Sequence, residues 1–169
     1  MVVNNSRPTL APGNAWVFGD NIDTDAMAPS AYLMKEPLEA VAHCMESIDA
    51  DFARQVNTGD VFVAGIHLGV GSSREGAPFN LQQLGIRAIL AKSYARIFYR
   101  NALNLGLVTL ICPDTHRIDT GDSLSVDPIQ GIVHNHTRGE TLQCDPLPEH
   151  LLRIIEDGGL LSHLKKRFS

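Results

Sequence analysis

The stretch that decides the fold runs from residue 60 to residue 112 and reads DVFVAGIHLGVGSSREGAPFNLQQLGIRAILAKSYARIFYRNALNLGLVTLIC. Apolar runs that predict buried strands alternate here with segments of helical character: 60–64, 75–84, 87–91, 94–105 and 107–112. Gly85 and Gly106 directly follow the two helical segments, at the position where a glycine commonly ends a helix. This βαβαβ rhythm predicts parallel strands that are joined by right-handed crossovers and covered on both faces.

The turn between the first strand and the first helix is the candidate functional site, and it reads GVGSSRE at residues 69–75. Glycines in and just before this turn allow positive φ angles and a close approach of the backbone to a bound group. Ser72 and Glu75 have the spacing of a capping box, which predicts that a helix begins there with free N–H groups facing outward beside Arg74. Such a turn predicts a site for a small anionic ligand. The alternative, that these residues only cap a helix and Arg74 lies in solvent, stays open at this point.

The chain before residue 60 is expected to supply one more strand and a polar turn. Prolines and a glycine predict a loose N-terminal arm over residues 1–14, and the apolar run at 15–19 predicts a buried strand. Residues 20–25 read DNIDTD, but they lack the glycine and the late glutamate of a calcium-binding EF-hand loop, which favours hydrogen bonds within a turn. A loop is expected at residues 26–37 and a helix at residues 38–45.

After Gly121 the alternation of strand and helix patterns ends. Three short runs, at 123–127, 132–136 and 140–144, are separated by turns and predict antiparallel strands. A helix is expected at 149–157, followed by a short basic tail. The whole chain of 169 residues therefore predicts one domain of mixed α/β class, in which two sheet regions and their flanking helices lie in layers.

Composition argues against several classes of function. The chain has 14 Lys and Arg against 19 Asp and Glu, and this net charge of −5 argues against nucleic acid as the main partner. No apolar run reaches the ~20 residues that span a bilayer, and no secretion signal is visible, so we expect a cytoplasmic protein without a membrane partner. Cys44, Cys112 and Cys144 are far apart and lack C-x-x-C spacing. We expect them in the core, and we expect this chain to hold no metal by itself.

An ordered set of motifs carries a resemblance to a known family. The motifs are GDNIDTD at 19–25, AMAPSAYL at 26–33, GSSRE at 71–75 with AP at 77–78, and AKSYARIFYRNALNLGL at 91–107. With them the chain resembles the small subunits of 3-isopropylmalate dehydratase, which are homologous to the swivelling domain of aconitase. The resemblance implies a layered β/β/α swivelling domain with mixed sheets and flanking helices. It covers most of the chain, from about Val17 to the C-terminal helix.

The resemblance also implies a division of labour between two subunits. A separate large subunit would hold a [4Fe-4S] cluster, while this chain binds no cofactor and closes over a small 2-hydroxy dicarboxylate. On the matching positions, Ser72 would be the general base that removes a proton from carbon, and Asp25 would support a histidine of the large subunit. The same resemblance assigns substrate binding to the turn and to a recognition loop: Gly71, Ser73, Arg74, Tyr32, Leu33, Met34 and Lys35. The chain alone would be inactive, and it could self-associate through the surface meant for its partner.

Three departures from the family pattern leave the substrate open. Gly76 stands where the family usually has histidine, Val70 where it has cysteine or glutamate, and His67 where it has asparagine. The leading hypothesis is an enzyme of leucine biosynthesis that dehydrates 3-isopropylmalate or 2-isopropylmalate and adds the water back. The alternatives are a homoaconitase, a hydratase of the methylmalate, citraconate or dimethylmaleate type, or a non-catalytic module that binds an anion or a partner. Lys35 of the recognition loop would either meet an extra carboxylate of the substrate or face water.

Overall fold

The computed structural model describes residues 9–169. In chain order its elements are β1 (Gly13–Val17), α1 (Thr24–Met27), α2 (Pro37–Val41), α3 (Phe52–Gln55), β2 (Val61–Ala64), α4 (Gly76–Gln83), β3 (Ala88–Ala91), α5 (Arg96–Asn104), β4 (Val108–Ile111), β5 (Ser123–Asp127), β6 (Ile132–Asn135), β7 (Glu140–Gln143), α6 (Glu149–Glu156) and α7 (Leu160–Phe168). Short 3-10 turns occupy Ser30–Tyr32 and Thr115–Arg117. None of the helices between residues 9 and 169 is long and apolar enough to cross a membrane.

The strands form one sheet in the order β4-β3-β2-β1-β5-β6-β7. The first four strands are parallel, and β5 to β7 form an antiparallel meander. β1 joins the two halves, because it pairs in parallel with β2 and antiparallel with β5. The predicted βαβαβ unit and the predicted antiparallel strands are confirmed, and the two predicted sheet regions meet along β1.

Both faces of the parallel half are buried, as the apolar sequence of its strands predicts. Val61 and Val63 of β2 belong to a core with side chains from β5, β6, β7 and α6. Phe62 and Ala64 belong to a second core with side chains from α1, α3 and α4. Successive side chains on a strand point to opposite faces, so one four-residue strand contributes to two cores.

The N-terminal strand begins earlier than predicted. Residues 1–8 of the predicted loose arm lie outside the described part of the chain. Within the rest of that arm, the Leu10 N–H donates to the Val126 carbonyl oxygen at 3.0 Å, and Gly13 and Asn14 pair with β5. The strand ends at Val17 rather than at residue 19. Pairing with β5 sets the start of the strand and pairing with β2 sets its end, and the local sequence reveals neither.

Two predicted segments differ in the structure. The helix predicted at 38–45 is confined to α2, because the chain then passes through turns to Met45, whose φ is 66°. Met45 is fully buried, and its N–H donates to the Ala26 carbonyl oxygen at 2.8 Å. The predicted basic tail is the helix α7, which begins directly after Gly159. Its Lys and Arg residues lie in the last turn, where positive charge is favourable to a helix.

Candidate active site

The GSSRE turn at residues 71–75 is not a capping box. α4 begins at Gly76, and the residue before it, Glu75, makes no side-chain hydrogen bond to the helix end. The Ser72 side chain contacts Thr24 and Arg74 instead of the first N–H groups of α4. The predicted capping box is therefore wrong. Ser72 lies in an irregular segment before the helix, where its hydroxyl is available for other contacts.

Ser72 is held by two neighbours. Its N–H donates to Thr24 Oγ1 at 3.0 Å, and the two hydroxyl oxygens are 3.1 Å apart. Arg74 Nε donates to Ser72 Oγ at 2.7 Å. A guanidinium donor stabilises negative charge on an oxygen more strongly than a neutral donor does. This contact therefore suits a hydroxyl that loses its proton.

Backbone pairing brings the DNIDTD segment beside the GSSRE turn. Asp23 and Val70 form a parallel bridge, and the Thr24 N–H donates to the Val70 carbonyl oxygen at 2.9 Å. Gly71 has φ 115°, a conformation that favours glycine, and a Cβ added there would lie 3.0 Å from Thr24 Oγ1. A larger residue at position 71 would strain the backbone and crowd the contact between Thr24 and Ser72.

Arg74 has a buried nitrogen whose N–H groups are unpaired. Its Nη1 is buried and has no hydrogen-bond partner, although Nε of the same guanidinium is bonded to Ser72. A buried donor without a partner costs about 1–3 kcal/mol, and more if it is charged. Arginine presents its donors as a planar fork that matches a carboxylate. The arrangement therefore suits a bound anion next to the Ser72 hydroxyl.

Asp25 lies at the same end of the sheet and is exposed. Its Oδ1 accepts the Ser30 N–H at 2.8 Å. The backbone hydrogen bond from Ser30, with further help from the Ser30 side chain and from the positive charge of Arg74, holds the pKa of the Asp25 carboxyl below its usual range against a small opposing effect of burial. Asp25 is therefore a carboxylate at neutral pH.

Two residues of this region were missed at the level of sequence. Thr24 lies within the GDNIDTD motif, but nothing in the sequence shows that it contacts Ser72. Asn101 of α5 donates from Nδ2 to the Ser73 carbonyl oxygen at 3.2 Å and fixes the exposed Ser73 from the side. A threonine next to Asp25 and an asparagine within a helix are common features, so only the spatial contacts single them out.

Tyr32 and Lys35 of the predicted recognition loop make side-chain contacts within this chain. The Tyr32 ring stacks on His43 with centroids 3.8 Å apart. Lys35 Nζ pairs with Glu39 Oε1 at 2.9 Å and lies 5.3 Å from the centre of the Tyr32 ring. Met34 is 98% exposed. The ammonium group of Lys35 thus already has an acidic partner on α2.

A cavity of about 170 Å³ lies between this loop and α4. Its lining is mainly apolar and includes Ala28, Pro29, Tyr32, Leu33, Gly76 and Phe79. Met34 is not part of the lining. A Cβ added to Gly76 would have only the Ala28 Cβ nearby, at 3.5 Å. The missing side chain of Gly76 therefore leaves open space on this side of the GSSRE turn.

Within residues 9–169, no group of three or more His, Cys, Asp and Glu side chains could hold a metal ion. The three cysteines are buried, as predicted from their core role. Burial raises the pKa of the Cys44 thiol. Of the carboxylates of DNIDTD, Asp23 accepts from the Ala26 N–H at the start of α1, whereas Asp20 accepts from the Ile66 N–H, 46 residues away. The interpretation of this run as local turn chemistry is therefore confirmed for Asp23, while Asp20 makes a tertiary contact.

Comparisons with known proteins agree on one family. The model of the aconitase C-terminal domain matches residues 21–115. A 3-isopropylmalate dehydratase small subunit from Methanosarcina mazei is 46% identical over 158 residues, which are 93% of this chain and 98% of the relative. Small subunit 1 of the same enzyme from Archaeoglobus fulgidus is 49% identical over 154 residues, 90% of this chain and 96% of the relative.

Two further similarities bear on substrate and fold. The 2,3-dimethylmalate dehydratase small subunit from Eubacterium barkeri is 44% identical over 156 residues, 91% of this chain and 96% of the relative. A crystal structure described as 3-isopropylmalate dehydratase from Methanocaldococcus jannaschii is 41% identical and superposes with a TM-score of 0.89. It covers 95% of this chain and 96% of its own.

Proposed function

We propose that this chain is the small subunit of a two-subunit hydro-lyase. The proposal rests on its family, because the chain belongs to the aconitase C-terminal domains and to the 3-isopropylmalate dehydratase small subunits. The reaction removes water from a 2-hydroxy dicarboxylate and adds it back to give the isomer, most simply between 2- and 3-isopropylmalate in cytoplasmic leucine biosynthesis. The proposal for the site depends on the contacts of Arg74. Its Nε donates to Ser72 Oγ, and its buried Nη1 has no hydrogen-bond partner.

The partner is a large subunit with a [4Fe-4S] cluster. The proposal is supported by the relatives of this chain, which are named small subunits and match the aconitase C-terminal domain. When bound in the partner, such a cluster would supply the Lewis acidity that the departure of the hydroxyl group needs. This chain supplies the groups that bind the carboxylate and move the proton.

Ser72 acts as the general base. Its oxygen takes the proton from the carbon beside a carboxylate, and the positive charge of Arg74 on Nε stabilises the alkoxide that must exist beforehand. Arg74 Nη1 is buried without a partner, so binding of the substrate carboxylate by this nitrogen requires Arg74 to turn toward the substrate. One guanidinium then contacts both the base and the carboxylate. The hydroxyl of Ser73 adds a hydrogen bond to substrate.

Asp25 and Gly71 support this chemistry from either side of Ser72. The ionised carboxylate of Asp25 orients a histidine of the large subunit by accepting a hydrogen bond from its ring. Gly71 keeps the turn in a shape in which the backbone can approach the substrate, because a side chain there would be strained at φ 115° and would crowd Thr24. Both roles require the large subunit to close over this end of the sheet.

The cavity beside Gly76 favours a substrate with an apolar branch. Tyr32 and Leu33 line it, and Lys35 at its edge is already paired with Glu39. An extra carboxylate, as in homoaconitate, would have to compete for that ammonium group. Met34 of the recognition loop is left for contact with the large subunit, because it is almost fully exposed. Isopropylmalate is therefore the first candidate and 2,3-dimethylmalate the second.

The proposed function is tested by purifying the chain with its cluster-bearing large subunit under anaerobic conditions. We expect dehydration of isopropylmalate or dimethylmalate, measured by absorbance of the unsaturated acid, and no turnover by either subunit alone. Homocitrate and unbranched malate complete the panel. Turnover by this chain alone in metal-free buffer, or no turnover of any acid by an assembled pair with an intact cluster, would contradict the proposal.

Filling the cavity should change the choice of substrate. Gly76→Leu is expected to raise KM for the branched acid by ~10-fold or more, because hydrophobic pockets discriminate by 10–200-fold for each methylene. KM for unbranched malate should change much less. Gly76→Ala is the matched control, since its Cβ would make only an ordinary contact with Ala28. Steady-state kinetics with both acids measure the effect, and an equal loss for both would remove the cavity from substrate binding.

A further inference from the structure

We propose that Thr24 is a positioning residue whose hydroxyl group donates a hydrogen bond to Ser72 Oγ when Ser72 is ionised. The inference rests on the proposed function, because it needs Ser72 to act as the base. The two hydroxyl oxygens are 3.1 Å apart, and the contact joins residues 48 positions apart in the chain. Thr24 acts on the reaction only through its contact with Ser72.

The hydrogen bonds around neutral Ser72 can run in either direction. The Ser72 hydroxyl has one hydrogen and two lone pairs, and Arg74 Nε occupies one lone pair at 2.7 Å. Its hydrogen can point to Thr24 Oγ1 or away from it. Thr24 Oγ1 also accepts the Ser72 N–H at 3.0 Å, which leaves it one lone pair and its own hydrogen.

Ionisation of Ser72 removes this choice. An alkoxide has no hydrogen, so the 3.1 Å contact is a hydrogen bond only if Thr24 donates. To do so, the Thr24 hydroxyl needs only to rotate about its Cβ–Oγ1 bond. Its oxygen still has a lone pair that accepts the Ser72 N–H. Ser72 Oγ then accepts from a guanidinium and from a hydroxyl, the kind of paired donors that stabilise oxyanions in enzymes.

Thr24 is fixed well enough to play this part. The residue is 3% exposed, and its N–H and carbonyl oxygen are bonded to Val70 and Ala28. A branched β-carbon restricts the side chain further. Water cannot readily take the place of the hydroxyl at such a buried position. A donor that is fixed beforehand costs no reorganisation during the reaction.

The test compares Thr24→Val with Thr24→Ser in the assembled two-subunit enzyme. We expect Thr24→Val to lower kcat by ~10- to 100-fold, which is less than the loss of a whole oxyanion donor, while KM for isopropylmalate changes less than about threefold. The rising limb of the kcat–pH profile should move to higher pH, because the alkoxide becomes harder to form. Thr24→Ser keeps the hydroxyl and should recover most of the turnover and the original limb.

Other outcomes would overturn the inference. An unchanged kcat in Thr24→Val, a loss in Thr24→Ser as large as in Thr24→Val, or a loss of kcat that is equal at every pH would each assign Thr24 a purely structural role or none. Thr24→Ala is the second variant if Thr24→Val fails to assemble with the large subunit. Thr109→Val, which removes another buried hydroxyl in β4, is the matched control for stability and should keep normal turnover.

Ser72→Ala in the same assay separates this inference from the proposed function. If Ser72→Ala keeps normal turnover, the proposed base is wrong and the role of Thr24 falls with it. If Ser72→Ala abolishes turnover while Thr24→Val leaves kcat and its pH profile unchanged, only the inference about Thr24 fails.

Discussion

Ser72→Ala is expected to lower turnover of the assembled enzyme by ~10²- to 10⁴-fold, the size of effect that a positioned general base supplies. The substitution removes the oxygen that accepts the proton, whereas Arg74 keeps its second donor for the substrate carboxylate. KM should therefore change far less than kcat. Steady-state kinetics on the purified pair measure both constants, and gel filtration shows whether the subunits still assemble.

Ser162→Ala is the matched control for this loss, because Ser162 is an exposed serine on α7. It should keep normal kcat. Exchange of the substrate C–H with deuterium from the solvent gives a second measurement, since it reports proton removal directly. If Ser72→Ala exchanged this hydrogen at the normal rate, another group would be the base, and the GSSRE turn would serve only to bind the anion.

Arg74→Lys is expected to lower kcat/KM by ~10³-fold or more, because it removes two interactions at once. Lysine keeps a positive charge but lacks the planar fork, so it cannot hold Ser72 Oγ with one nitrogen and a carboxylate with another. Both constants should change: kcat should fall because the alkoxide of Ser72 is less stabilised, and KM should rise because the substrate carboxylate is bound less tightly. Steady-state kinetics and the Kd of a non-reactive dicarboxylate measure the two losses separately.

Arg54→Lys serves as the control for Arg74→Lys, since the Arg54 side chain is 73% exposed and paired with Asp51 on the surface. The double variant Ser72→Ala, Arg74→Lys gives the sharper result. If Arg74 supports the base through Ser72, its substitution should cost much less kcat in the absence of the Ser72 hydroxyl. Additive losses in kcat would show that Arg74 acts on the substrate alone.

Much of the fold was predictable because the information is local. The strands at 60–64, 87–91 and 107–112 are short and almost wholly apolar, and their buried positions in the sheet follow from that pattern. Gly85 and Gly106 follow the two helices and have φ of 92° and 88°, as the sequence indicated. The three antiparallel strands after Gly121 were also predictable, because turn residues separate their short runs.

The errors arose where a local signal competed with a contact from afar. The S-x-x-E spacing of Ser72 and Glu75 predicts a cap in isolation, but Arg74 and Thr24 take the Ser72 hydroxyl instead. The helix predicted through Met45 is broken because the Met45 N–H bonds to Ala26 and its side chain enters the core. At Met45 a tertiary hydrogen bond outweighed a helical preference of a few tenths of a kcal/mol per residue. At Ser72 the contact with Thr24, 48 residues away, and the contact with the neighbouring Arg74 took the place of the cap.

The sequence by itself determined the α/β class, the strand and helix order of the central unit, and the motifs that identify the family. These depend on periodicity and turn residues within short windows. Only the tertiary structure decided that Thr24 meets Ser72, that Arg74 keeps a buried donor free, and that Gly76 borders a cavity. The contact between Thr24 and Ser72 joins residues 48 positions apart, and all three features depend on how distant segments pack together.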